Sequence, residues 1–540
     1  MKMGRKFMIK YDVIIIGAGL GGLTAAATLS KKGMSVLLLE QYYRIGGFGQ
    51  SYSIDGYTFD TAVHAIWFWE EISQILEELE IELDVVPARR RDRILFKDGY
   101  EFFATSIPEM KEQISKLVPH EAESIASYYD ELLDAQKTMV NITNNPKDWN
   151  CRAAFAKYRE LWKMTLEEVV NNKIKDPMAR SLVFGYHDSY LCNYGWHYPA
   201  YHLYCTKYLY DGFLPVGGSQ PLVDALGEAI IKYGGEIRTN AMVKKINVEN
   251  GKARSVILDS GEEFFANRAI ISNADAILTL DKMIGREHLT ANMKEELDKW
   301  KRQVPSLSYY ILNLGLDTDV KKEYGMQGDL TIYYPKLDIL KGFKEINEGN
   351  LPEDFWLWMV FPSVNDPSLA PKGHSVATLS ILVPYNCENH SHVTKNYSFD
   401  GFSPNMSKGE EYERFKEELS EKMLQRADEV YPQISSHVTV KDFITPQAIE
   451  CITLNYQGST LGVMAQPERN GSAPQKAFDL SIGFKMKTEI EGLYLAGGWT
   501  ETGFSAPGVI GSGRLVSQEI LGEKVKSIFI NPEHRMERLS

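Results

Sequence analysis

Four consecutive apolar residues, Val13 to Ile16, lead into a glycine-rich turn, and an alanine- and leucine-rich stretch follows it. A short apolar run bounded by turn residues predicts a strand buried on both faces, and the stretch through Ala25, Ala26, Ala27 and Leu29 predicts a helix. Lys31 and Lys32 suit the negative end of that helix, and Gly33 suits the left-handed position just past it. Ser35 to Leu39 is a second apolar run, closed by the acidic Glu40. Strand, helix and strand in this order predict a βαβ unit with parallel strands.

Further along, Gly212 to Ala276 reads as a glycine-led turn, a helix to Lys232, a Gly234-Gly235 turn and alternating strands. Asn250-Gly251 and Ser260-Gly261 supply hairpin turns between them. Residues about 70 to 211 are mostly helical in pattern, as in "EEISQILEELEIEL", with one hairpin, "RILFKDGYEFFA", turning at Asp98-Gly99. Residues about 300 to 480 mix strands ("LSYYILNLGL", "SVATLSILVP") with a charged helix, "KGEEYERFKEELSEKMLQRADEVY". Near the end, Leu493 to Ala496 predicts a strand, "GGWTETGFSA" a loop, and Pro507 the start of a helix, since proline is favoured at the first helical position. The expected organisation is two interleaved units. One takes residues 1–70, 212–300 and 481–525, the other 71–211 and 301–480, with 526–540 as a tail.

A chain of 540 residues exceeds one compact core. A hydrophobic share of 44% and a charged share of 24% are those of an ordinary soluble globular protein. The net charge of −13 argues against nucleic acid, which needs a basic footprint. The five cysteines are scattered, with no zinc spacing, and read as reduced thiols. No His/Asp/Glu set has metal-ligand spacing, so no metal is expected. "MKMGRKFMIK" followed by an apolar run resembles a secretory leader, but cleavage would destroy the βαβ unit. No window offers the ~18 apolar residues of a spanning helix. A cytoplasmic chain is expected, with the membrane surface left open as a contact.

The turn after the first strand is GxGxxG at Gly17, Gly19 and Gly22. The first glycine permits the tight turn, the second lets a pyrophosphate approach the backbone, and the third lets helix pack on strand. The helix N-terminus, with Leu20 in its first turn, offers free N–H groups and positive dipole to phosphates. Glu40, with Gln41 beside it, lies about 20 residues on, where an acid accepts hydrogen bonds from a ribose 2′-hydroxyl. An acid there favours a free ribose hydroxyl over a 2′-phosphate, which disfavours NADP, while NAD and FAD both remain.

Three further segments bear on that choice. "QYYRIGGFGQ" contains Arg44, Gly46 and Gly47 just past the second strand, and resembles the xGG segment of a large group of FAD-dependent oxidoreductases. "GFLPVGGSQPLVDALGEAIIKYGGEIRTNAMVKKINVEN" is similar to that group's return to the nucleotide domain. "EGLYLAGGWTETGFSAPGVIGSGR" is similar to its C-terminal flavin segment. In order and spacing the three resemble the phytoene desaturase, carotenoid isomerase and retinol saturase family over essentially the whole chain. The resemblance implies an α/β fold: a Rossmann-type FAD-binding domain with an interleaved α+β substrate domain. It implies non-covalent FAD, with diphosphate at Gly46, Gly47 and Arg44 and adenine at the backbone of Val243. It implies flavin contacts at Gly497 and Gly498 and at the amides of Gly508, Val509 and Ile510. Two positions depart from the wider superfamily. Many amine oxidases carry an acid where Gly498 stands, and a tyrosine common in the preceding loop is replaced by Leu461.

On the substrate side, Tyr186, Tyr190, Tyr194 and Tyr198 fall at i, i+4 spacing, with Trp196 among them. They form either a buried helix face or, with Trp67, the wall of an apolar tunnel. His64 matches a histidine of retinol saturases. It is either a proton carrier beside the substrate or a hydrogen-bonded structural histidine. Arg89, Arg90, Arg91 and Arg93 are either a solvated run or a contact for anionic head groups. The implied function is redox chemistry, desaturation or saturation, on carbon–carbon bonds of an extended apolar isoprenoid, carotenoid or polyene. The alternatives are a redox-neutral polyene isomerase, a flavin amine oxidase and a non-catalytic lipid carrier. The electron partner stays open.

Overall fold

The computed structural model describes residues 10–61, 65–88, 92–144, 164, 166–185, 212–303, 307–385, 397–399, 404–406, 409–460, 462, 483–501 and 505–523. Its first sheet has seven strands. Glu236–Arg238, Val36–Leu39, Lys10–Ile16, Glu263–Ser272 and Leu493–Leu495 run parallel in that order. The N-terminal half of Glu263–Ser272 pairs antiparallel with Lys252–Leu258, which pairs with Val243–Glu249. Residues 13–16 and 36–39 are buried throughout, as continuous apolar runs in a parallel sheet require. Asn250 and Gly251 both take positive φ, 51° and 74°, the geometry that a two-residue hairpin demands.

Helices Leu20–Lys31, Gln220–Lys232 and Ser505–Leu521 cover one face of this sheet through Val13, Ile15, Val36, Leu38, Ala269 and Ile271. Ile14, Ile16, Leu37, Leu39 and Ile270 face the meander and residues 276–300 on the other side. The C-terminal helix begins at Ser505, two residues before the expected Pro507. Proline is tolerated there because the amides of a first turn have no intrahelical acceptor.

A second seven-stranded sheet follows the order Val438–Ile444, Leu307–Leu316, Ser375–Pro384, Leu357–Val360, Leu330–Tyr334, Asp92–Phe96, Glu101–Ala104. All neighbours are antiparallel except Leu330–Tyr334 with Asp92–Phe96. Strands from either side of residues 212–303 therefore share one sheet. One face buries Tyr310, Leu312, Leu314, Met359, Leu379 and Ile381 beneath helix Glu410–Val430, whose Phe415, Leu419, Met423 and Ala427 repeat at helical spacing. Helices Ile107–Leu117, Ala122–Asn144, Leu166–Lys173 and Pro177–Gly185 pack with Ile332 and Leu382 on the opposite face.

Two helices of the first sheet meet backbone to backbone. A Cβ at Gly513 would stand 2.2 Å from the carbonyl oxygen of Gly21 and 3.0 Å from the amide nitrogen of Ala25. Gly513→Ala should therefore force the helices apart and cost at least about 3 kcal/mol, with loss of soluble protein as the extreme. Gly409→Ala, where a Cβ meets nothing within 4 Å, should cost less than about 1 kcal/mol. Urea midpoints of the two variants test the contrast.

Candidate active site

A cavity of about 420 Å³ runs between the two sheets. At one end it is lined by Glu40, Gln41, Tyr42, Met242 and Val243. Along its floor lie Gly17, Gly19, Leu20, Gly46 and Gly47, and beyond them Gly497, Gly498, Trp499, Ser505, Ala506 and Val509. The folding of the chain thus brings residues from near both ends of the sequence onto one surface. Gly17 has φ +91°, and a side chain there would also press on the backbone of Asn273 and Ala274.

Glu40 is buried at the end of its strand. Its two carboxyl oxygens accept from the amides of Ala18 at 2.7 Å and Tyr42 at 2.8 Å. Burial pushes its pKa above the ordinary carboxylate value, and the amides of Tyr42, Ala18 and Gln41 pull it back. A carboxylate has about four acceptor positions, and these amides do not use them all, so capacity is left for a hydroxyl entering from the cavity.

Four of the expected contacts do not line this cavity. A Cβ on Gly22 would stand 2.1 Å from the carbonyl of Gly17, so this glycine is needed for the helix to fold back on its own turn. The guanidinium of Arg44 donates to the Ser51 carbonyl at 2.6 Å and ties down the loop after Gly46 and Gly47. Ile510 is buried in the core between helices and sheet. Ser505, with φ +77°, stands at the N-cap, so the amides of Val509 and Ile510 fall inside the i to i−4 ladder, while those of Ala506 and Gly508 belong to the first turn. This corrects the expected open amides at Val509 and Ile510 and leaves the one at Gly508. Val509 still meets the cavity; Gly508 does not line it.

The far wall is one face of the second sheet. Tyr309, Ile311, Leu330, Trp358, Val360, Thr378 and Ser380 line it. They share a face because Ile311 pairs with Ser380, Ser380 with Trp358, Thr378 with Val360, and Val360 with Leu330. The buried Asp329 also reaches the cavity. These residues were not singled out from sequence. The period-two alternation was visible, but nothing in it tells the cavity face from the face under helix Glu410–Val430. His64 and the cluster Tyr186, Tyr190, Tyr194, Trp196 and Tyr198 lie outside the described residues, as do Arg89, Arg90, Arg91 and Leu461. Trp67 is described in its backbone only, which pairs with Gly212. Arg93 forms a two-pronged ion pair with Glu101 at 3.0 and 3.1 Å, across its hairpin.

Two residues missed from sequence organise the site. Asn273 follows the central strand, and its Nδ2 donates to the Gly17 carbonyl at 3.3 Å. Its Oδ1 is so close that a Cβ at Gly21 would stand 2.5 Å away and one at Gly497 2.7 Å away. Asp275 is fully enclosed, and its oxygens accept from the amides of Leu278 and Tyr456, each at 2.7 Å. Nearby, Glu450 accepts from the amide of Gln457 at 2.8 Å and from the Tyr385 hydroxyl. The two carboxyls anchor the segment that follows Leu454 and Asn455, which line the cavity. Among the described residues no group of three His, Cys, Asp or Glu could hold a metal ion, and no helix is long and apolar enough to cross a membrane.

A parallel sheet with a glycine turn, an acid at the end of the second strand and a C-terminal helix closing on the same cavity define a dinucleotide-binding oxidoreductase of the FAD type. The residues present fit that group: backbone cradles that a Cβ would fill, and an acid with free acceptor positions. The chain belongs to the family of flavin-containing amine oxidoreductases, whose profile matches residues 20–521. It is 26% identical to the chloroplastic prolycopene isomerase of Daucus carota, over 93% of this chain and 78% of that protein. It is 26% identical to the neurosporene-forming phytoene desaturase of Rhodobacter capsulatus, over 94% of this chain and 93% of that one. Its fold is that of cyclohexylamine oxidase from Brevibacterium oxydans, with a TM-score of 0.59 at 15% identity over 95% of this chain and 99% of that one. The protein is an FAD-dependent oxidoreductase.

Burial, aided by the charge of Glu450, raises the pKa of Asp275 from 3.8 to about 7 against the pull of its backbone donors. The folded chain then binds this proton more tightly than the unfolded chain. The stability this provides is complete below pH ~4 and is lost as pH rises through about 7. Asp275→Asn keeps an acceptor at the helix N-cap and does not titrate. The stability of wild type relative to Asp275→Asn should therefore fall by on the order of a few kcal/mol between pH 4 and 8. Urea midpoints of both proteins over that range test it, and a constant difference would contradict it.

Proposed function

We propose that this protein desaturates or saturates carbon–carbon bonds in an extended apolar isoprenoid or polyene. The observation that carries the reading is that one cavity has the glycine floor on one side and, on the other, a wall of Ile311, Leu330, Trp358 and Val360. Apolar lining with few polar groups suits a hydrophobic ligand. The phytoene desaturase relative supports the same class of substrate. Gly498 supports it too, since it lacks the acid that many amine oxidases carry there.

FAD, when bound, supplies two-electron redox chemistry. In this reading Glu40 holds the ribose hydroxyls, and the backbone of Val243 meets adenine. Gly17, Gly19, Leu20, Gln41, Gly46 and Gly47 border the diphosphate, while Arg44 fixes their loop. Gly497, Gly498 and Val509 border the ring end, together with the first-turn amide of Gly508, ahead of Ile510. Positive helix ends stabilise negative charge there. His64 is the proposed proton carrier, and Trp67 with Tyr186, Tyr190, Tyr194, Trp196 and Tyr198 the proposed further wall. The division into a cofactor unit (1–70, 212–300, 481–525) and a substrate unit (71–211, 301–480) belongs to the same proposal, as does collection of the substrate at a membrane surface near Arg89 to Arg91. The prolycopene isomerase relative favours a second reading, rotation about a polyene double bond with no net redox change.

Anaerobic mixing of the yellow protein with candidate polyenes separates these. Desaturation bleaches the flavin and yields a product lighter by two hydrogens. Isomerisation requires prior flavin reduction and leaves the mass unchanged. Gly19→Val places a branched side chain where even a Cβ would meet Asn273 Nδ2 at 2.9 Å, and should lower FAD occupancy at least about tenfold. Activity that persists in protein stripped of FAD would overturn the reading.

A further inference from the structure

The short helix Pro446–Thr453 and the turn after it border the cavity at its Glu40 end, where Ile452, Thr453, Leu454 and Asn455 line it beside Gln41 and Tyr42. Ile452 is also 36% exposed, and Gln41 and Tyr42 are half-buried. Residues that line the cavity and also reach solvent form its rim. Gln41 Nε2 bridges that rim by donating to the Ile452 carbonyl at 2.9 Å. This carbonyl is among the last four of its helix, which have no intrahelical donor.

The two ends of the segment are held differently. Its far end is pinned by buried groups. The Tyr456 amide donates to Asp275 at 2.7 Å, the Gln457 amide to Glu450 at 2.8 Å, and the Ser308 hydroxyl donates to the Gly458 carbonyl at 2.7 Å. These bonds hold Gln457 at φ +54°, in the left-handed region. The near end is held loosely. The Gln41 bond is exposed. The Thr453 hydroxyl donates to the Ile449 carbonyl at 2.8 Å, a back-bond of the kind that weakens and bends helices. Between the two ends stands Leu454, which closes the helix at φ +56°, a place usually taken by glycine. Leucine has no short polar group with which to offset that conformation. Strained residues of this kind cluster at ligand clamps and switch segments. Strain at the boundary between a pinned and a loose segment makes Leu454 a hinge.

From this we infer that FAD enters and leaves between Gln41 and Ile452, and that the last helical turn up to Leu454 is a gate over its adenosine end, latched by the Gln41 side chain. Opening breaks the Gln41 bond, frays that turn and releases Leu454 from its left-handed conformation, while residues 456 to 458 stay anchored. The inference rests on the orientation of FAD proposed above, adenosine toward Glu40, and is independent of the substrate.

The test times FAD exchange in the full-length protein. Dissociation is followed after large dilution of the FAD-loaded protein, and association after mixing the stripped protein with FAD. Both are read by quenching of tryptophan fluorescence, since Trp358 and Trp499 line the cavity. A gate changes both rates together, because either passage needs it open, whereas a residue that merely touches FAD changes dissociation. Gln41→Ala should speed both rates about fivefold. Gln41→Lys, which restores a donor to a helix C-terminus, should return both toward wild type. Alanine holds a helix and glycine frays it, so both rates should be about fivefold faster in Thr453→Gly than in Thr453→Ala. The inference is overturned if Gln41→Ala changes dissociation alone or neither rate, if the two Thr453 variants exchange FAD equally fast, or if wild type takes up no FAD. Should Gln41→Ala not fold, the Thr453 pair decides alone. FAD retained in Gly19→Val would overturn the proposed seat of the cofactor itself, so that failure is distinguishable from failure of the gate.

Discussion

The structure depends on one backbone-to-backbone contact. The helix after the first strand and the C-terminal helix meet where Gly513 faces the Gly21 carbonyl, so closely that no Cβ fits. Glycine costs a helix about 1 kcal/mol in backbone entropy, and its use here in two facing helices is repaid by close packing. Asn273 fills the gap ahead of that contact, reaching Gly17 with its amide nitrogen and approaching Gly21 and Gly497 with its oxygen. The first glycine turn, the strand Glu263–Ser272 and the C-terminal loop are thereby held as one surface, although they come from distant parts of the chain.

That surface supplies only half of a site. The other half is a sheet built from segments on both sides of the cofactor-binding strands, so the two sheets must come together for the cavity to exist. Its chemistry is divided accordingly. The cofactor side offers backbone amides, a helix end and Glu40, whose carboxyl oxygens are already braced by two amides. The opposite side offers mostly apolar side chains, among them Ile311, Leu330, Trp358 and Val360. Asp275 and Glu450 lie behind the border between them, where they satisfy the amides of a turn that would otherwise be buried without acceptors. The cost is an enclosed carboxyl whose proton binding ties stability to pH.

The sequence by itself determined the elements whose causes are local. Val13 to Ile16, the GxGxxG turn and Glu40 announce a parallel βαβ unit, because a doubly buried strand is continuously apolar and a tight turn needs glycine. Asn250-Gly251 announces its hairpin, because both residues must take positive φ. The family follows from the order and spacing of three such segments. Tertiary structure alone decided which alternate residues of Leu307–Leu316, Leu357–Val360 and Ser375–Pro384 face the cavity, since a period of two marks both faces equally until a partner covers one. It decided that Arg44 serves its own loop, that Gly22 serves helix packing, and that the C-terminal helix opens at Ser505. It also decided the roles of Asn273 and Asp275. Each acts through partners far away in the chain, and no local pattern of residues encodes which hydrogen bond a buried polar group will make.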